Sequence, residues 1–226
     1  MANNKNVRTE REQNVAEAVS KTELFFENNK KTIAYIVAGI IVVAALVFAW
    51  INLITIPKQK EAVDQLFTAE RYFRTDSFNL ALNGDGNALG FKQVIDKYGK
   101  KAGQAAYFDA GVCCLRLGDN DGAISYLKKY STKDKIMQAR AKACIGDAYV
   151  NKGDVKSAVS YFESAAATAD NILAAGYLLK LGLCQEELGQ PAEAVKAYQK
   201  IKDLYGNSPE GYEIDKYISR AEAAIK

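Results

Sequence analysis

Lys152 to Phe162 reads KGDVKSAVSYF, and two near-copies flank it: LGDNDGAISYL from Leu117 to Leu127 and LGQPAEAVKAY from Leu188 to Tyr198. Across the three, the glycine moves from Gly118 to Gly153 to Gly189 and the alanine from Ala123 to Ala158 to Ala194, at intervals of 35 and 36 residues. A period of that size marks an array of supersecondary units, each too small to bury its own apolar side.

Working outward, each copy is preceded by an amphipathic segment. Tyr107, Ala110, Gly111 and Cys114 open the first unit, Ile145, Gly146 and Tyr149 the second, and Leu181 and Gly182 the third. A turn follows, then a second apolar stripe: Ala123, Leu127 and Tyr130; Ala158, Phe162 and Ala165; Ala194, Tyr198 and Ile201. A small residue on each helix lets an antiparallel pair approach closely, and the large residue four positions after the alanine covers the crossing. The glycine of each turn ends the first helix, where a left-handed backbone costs it little. Upstream, Lys58 to Tyr72 reads as a helix with Ala62, Leu66, Ala69 and Phe73 on one face; DSFNLALNGDGN (76–87) reads as a long polar turn; Phe91, Val94, Ile95 and Tyr98 form a second stripe. This is a degenerate first unit. Downstream, Ser208 as N-cap and Pro209 in the first turn predict a helix carrying Ile214, Tyr217, Ile218, Ala221 and Ile225, the cap that a solenoid needs over its last apolar face.

Ahead of the repeats, Ile33 to Ile56 runs 24 residues without a charge, about 36 Å as a helix against a hydrocarbon core of about 30 Å. Tyr35 and Trp50 stand toward its ends, and Lys30, Lys31, Lys58 and Lys60 bracket it. The preceding region is too long for the n-region of a signal peptide, and no A-x-A-like cleavage site follows Trp50, so the reading is an uncleaved transmembrane anchor. Lys21, Lys30 and Lys31 before the run give a slight positive-inside bias toward a cytoplasmic N-terminus, which puts the large C-terminal part on the exported side. Thr9 to Asn28, with Val15, Ala18, Val19, Thr22, Phe25 and Phe26 at helical spacing, is either a short amphipathic helix at the membrane or partly disordered. The expected organisation is a cytoplasmic tail (1–32), a transmembrane helix (33–56) and a repeat domain (57–226), divided as a degenerate unit (57–100), three repeats (104–137, 139–172, 175–207) and a capping helix (208–226).

Composition excludes several kinds of function. The chain has 226 residues, 49% of them hydrophobic, and a net charge of +3. Residues 1–32 hold six Lys/Arg against five Glu, leaving 24 against 22 in residues 57–226, so neither part has the concentrated basic face of a nucleic-acid binder. There is no histidine, which removes Ser/His/Asp and Cys/His nucleophile pairs, HExxH zinc sites and histidine general bases together. Cys113, Cys114, Cys144 and Cys184 form no CxxC and read as small core residues, with disulfide pairing left open for an oxidising compartment. Gly84-Asp85-Gly86 lacks the Lys-Thr of a phosphate loop, and nothing in the sequence marks Asp109, Asp147 or Glu186 as desolvated. The expectation is a protein that is not an enzyme, with no metal, cofactor, small-molecule substrate or nucleic acid.

The pattern of a large residue, Leu-Gly, Tyr, Ala, aromatic, Ala over Gln104 to Gly206 resembles the tetratricopeptide repeat, with Ala110 where Leu is usual and Gln185 where Tyr is usual. The resemblance implies an all-α solenoid of antiparallel helix pairs that binds other proteins in a groove lined by first-helix positions. Here those positions are Phe108, Asp109, Val112, Leu115, Arg140, Cys144, Asp147, Val150, Leu179, Lys180, Leu183 and Glu186. Phe108, Val112 and Cys144 fall where the family's clamp for a C-terminal carboxylate needs Lys and Asn, so docking of that kind is not expected. The layout of short tail, single N-terminal span and exported repeats is similar to the YfgM-like group of bacterial inner-membrane proteins. That similarity implies a role in secretion or envelope protein handling near the Sec translocon, with translocon subunits, chaperones or secretory chains as partners. A scaffold for division, wall synthesis or a secretion machine is the alternative.

Overall fold

The computed structural model describes the backbone of residues 3–225 and the side chains of residue 25 and of residues 27–225; every described element is helical. The expected amphipathic face from Val15 to Thr22, and Phe26, lie outside the described side chains. The chain divides into two units, 1–57 and 58–226.

In the first unit, α1 (Asn3–Trp50) runs through tail and apolar segment alike, followed by a π-helical turn (Ile51–Thr55). The apolar side chains are unburied: Ile36, Ile40, Val43, Leu46 and Leu53 all face outward. Among the described residues this is one helix long and apolar enough to cross a membrane. Asn52, the strongly polar residue near the end of the run, donates its side-chain amide to the Phe48 carbonyl at 2.8 Å, which satisfies part of its hydrogen-bonding capacity within the helix.

The second unit begins within α2 (Ile56–Arg74), followed by α3 (Phe78–Asn83), α4 (Phe91–Tyr98) and a 3-10 turn (Gly99–Ala102). Three helix pairs follow: α5 (Gln104–Arg116) with α6 (Asn120–Lys129), α7 (Lys135–Asn151) with α8 (Val155–Ala169), and α9 (Ala174–Glu187) with α10 (Pro191–Tyr205). Two short helices, α11 (Pro209–Tyr212) and α12 (Ile214–Ala223), close the array. Each pair packs internally and the pairs stack in order, with α12 lying on α10. The architecture is an all-α solenoid.

The small residues act as the sequence demands. A Cβ on Gly111 would come within 2.5 Å of the Leu127 side chain, and one on Gly146 within 2.7 Å of the Phe162 ring; Gly182 stands in the same relation to Tyr198. The turn glycines Gly118, Gly153 and Gly189 have φ of 81, 75 and 70°, a backbone that strains other residues. Asp119 and Asp154 then cap the second helices, accepting from Gly122 N at 2.9 Å and Ser157 N at 3.1 Å. The third pair replaces the aspartate cap with Pro191 in the first turn.

Two expectations need correction. The stretch read as a polar turn contains α3, because Phe78, Ala81 and Leu82 at i, i+3 and i+4 bury an apolar side among its asparagines and pack on α5. Phe73 of α2 joins it, edge-on to Phe78 at 5.8 Å and to Phe91 at 6.1 Å. The cap is two helices in place of one. Ser208 caps the first by accepting from Gly211 N at 3.0 Å, and Gly211 packs so tightly that a Cβ there would sit 2.5 Å from the Tyr205 carbonyl. The chain breaks at Glu213 (φ −110°, ψ 4°) before α12 resumes with Ile214, Ile218 and Ala221 buried.

Candidate binding groove

The first helices of successive pairs present one face of the solenoid, and most sequence-selected residues lie on it. Val150 and Leu183 are 37% and 39% exposed, while Val112, Leu115 and Leu179 are half-buried. Together they make an interrupted apolar strip across α5, α7 and α9. Asp147 on α7 takes Lys180 of α9 in a two-oxygen ion pair at 2.7 and 2.8 Å, bridging neighbouring repeats.

Two residues have a different role from the one expected. Phe108 is only 5% exposed; its ring packs on Tyr130 at 5.3 Å and lies under the Arg140 guanidinium at 5.7 Å, so it is floor and not contact surface. Glu186 is turned toward the cap, bonded by Arg220 of α12 and accepting from Tyr198 Oη at 2.8 Å. Burial pushes its carboxyl pKa up, but the hydrogen bonds from Arg220 and Tyr198 outweigh that and hold it below the ordinary value.

One carboxylate has a property that the sequence does not mark. Asp109 is desolvated: burial first, then the nearby Glu70 charge, push its pKa up to about 6 against the opposing pull of Arg140 and Arg74. Neither Ala110 nor any local motif announces this, because the burial and the charges of Glu70, Arg74 and Arg140 come from residues distant in the chain. No acid–base pair results, since Asp147 and Glu186 are each held by a cation.

Sequence reasoning also missed that α2 extends this face. Ala69 and Tyr72 keep the three-residue spacing of Gly146 and Tyr149, and Glu70, half-buried one turn on from Leu66, lies close enough to shift Asp109. Val63 and Phe67 share the Glu70 stripe of α2 and are strongly exposed, Phe67 at 68%.

The thiols are chemically quiet. Cys113, Cys114 and Cys184 are buried and Cys144 half-buried, all free. Burial pushes Cys113 and Cys114 up to about 12 and Cys184 to about 11, far from the thiolate form. Among the described residues no three His, Cys, Asp or Glu side chains gather as a metal site. Clefts occur between second helices as well: one of about 490 Å³ between α4 and α6, lined by Lys92, Ile95 and Tyr126, and one of about 250 Å³ between α8 and α10, lined by Ala166, Leu178 and Leu204.

Tetratricopeptide repeat family models match residues 104–131 and 139–170, and another model of the same repeat matches 177–208. The three helix pairs are tetratricopeptide repeats. A crystal structure of MamA protein is similar at 19% identity, covering 74% of this chain and 88% of that one with a TM-score of 0.52. A Podosopora anserina putative kinesin light chain with nearly identical TPR-like repeats is similar at 17% identity, covering 74% and 87% with a TM-score of 0.55. At these identities the likeness is one of fold. No curated protein matches the sequence significantly. Repeats of this kind make the chain a protein-interaction module.

Proposed function

We propose that the chain is a membrane-anchored interaction module whose first-helix face takes a segment of a partner protein. The organisation is a cytoplasmic tail (1–32), a single span (33–56) and a repeat domain (57–226) on the exported, periplasmic side of an inner membrane. The observation that carries the binding reading is the strip of exposed apolar side chains, Phe67, Val150 and Leu183, on a face where most charges are already paired internally. The anchor reading rests on the unburied apolar run. The layout supports a role in secretion or envelope protein handling near the Sec translocon, as in the YfgM-like group.

In-cell photo-crosslinking tests this, with the reactive residue placed in turn at Val150, Lys180 and Leu183. Capture of translocon subunits, exported chaperones or emerging secretory chains supports the proposal. Capture of division or wall-synthesis proteins replaces it with the scaffold role, and capture of cytoplasmic proteins alone reverses the topology.

A further inference from the structure

Of the carboxylates carried by the first helices, several have cations. Glu70 bridges to Arg74 at 3.7 Å, Asp147 to Lys180, and Glu186 to Arg220. Asp109 makes no hydrogen bond or ion pair among the described residues, and Arg140 beside it lies over the Phe108 ring. The exposed arginines differ in kind: Arg140 and Arg116 rest on aromatic rings, the latter over Phe78 at 6.0 Å, with their charges in water. A solvated guanidinium gains little from a partner's carboxylate, whereas a half-buried carboxylate already stripped of water gains more from a partner's cation. Phe67 and Val63, both exposed, share the α2 stripe of Glu70 and Arg74, whose charges reach Asp109, and half-buried Val112 follows Asp109 by one turn of α5.

We propose that this face binds a peptide segment carrying one Lys or Arg between apolar residues, the cation seated on Asp109 and its apolar neighbours on Phe67 and Val112. The proposal rests on the binding reading above and narrows its partner by charge. It also makes binding fall with acidity. Protonation near pH 6 removes the counter-charge. Glu70 and Arg74 of α2, Arg140 of α7, Cys113 of α5 itself and Tyr130 at the end of α6 are the other ionisable groups facing it. The chain holds no histidine to confuse a titration between pH 5 and 8.

The test is selection of a random phage-displayed peptide library on the full-length protein in detergent, then affinity measurements on a selected synthetic peptide free of His and acidic residues. The expected result is enrichment of Lys or Arg flanked by apolar residues. Affinity should fall by about tenfold both in Asp109→Asn and on moving the wild type from about pH 7.5 to about pH 5, with Asp109→Asn insensitive to that change. Selected peptides that lose binding in Val112→Glu but lack a basic residue, or ignore Asp109→Asn, overturn this proposal and leave the groove reading standing. Peptides indifferent to Val112→Glu, or no enrichment, overturn both.

Discussion

Gly146→Ala puts the packing argument at risk with a single methyl group. The new Cβ would lie 2.7 Å from one Phe162 ring atom and 2.9 Å from two others, where ordinary contact begins at 3.4 Å, a shortfall of 3.4 − 2.7 = 0.7 Å. Phe162 is 1% exposed and cannot swing away, so α7 and α8 must separate or the ring must leave its rotamer, at about 2–3 kcal/mol, the upper part of the overpacking range. Alanine returns about 1 kcal/mol through helix propensity. The balance is a loss of about 1–2 kcal/mol, or a fall in Tm of about 2–8 °C for a domain of this size. Gly176→Ala is the control, since there the nearest atom is the flexible Glu210 carboxylate oxygen at 3.1 Å, and stability should hold or rise. Thermal and urea melts of the full-length protein in detergent give the comparison. Coupling is checked by Phe162→Leu, which should cost less in the Gly146→Ala background than alone. A Gly146→Ala protein as stable as wild type would refute the close-approach account of the repeat.

Asp109→Asn should stabilise the domain by about 1–2 kcal/mol near pH 7.5, after discounting for partial solvent screening. The folded carboxyl has its pKa raised from 3.8 to about 6, so the folded state holds the proton more tightly; its penalty is absent below the unfolded value, grows across pH 4 to 6 and is constant above. Melts of the two proteins should therefore converge by about pH 4, and a pH-independent difference would count against the desolvation account. Arg220→Ala should cost about 1 kcal/mol by leaving the half-buried Glu186 with Tyr198 alone, and should raise the Glu186 pKa, read by NMR titration of its side-chain carboxyl. In folded protein, Cys144 should react with a maleimide ahead of Cys113, Cys114 and Cys184, which should label only on unfolding, as peptide mass spectrometry would show.

The sequence by itself determined the repeat, because its signals are local and periodic. The turn glycines and the alternation of small with large residues are set within about 35 residues and repeated, so each copy corroborates the others. The apolar run from Ile33 to Ile56 is legible for the same reason, being a property of consecutive residues. Only the tertiary structure decided what depends on contacts between helices far apart in the chain. The protonation of Asp109 is shifted in part by Glu70 of α2, about forty residues upstream, and Glu186 is withdrawn from the face by Arg220, 34 residues downstream. Phe108 and Val112 look alike as first-helix apolar positions, yet one meets Tyr130 and forms the floor while the other remains at the surface. Helix α3 was hidden because its polar asparagines dominate a window too short for a period of 3.6 to show, and packing against α5 supplies the burial that its local sequence does not advertise.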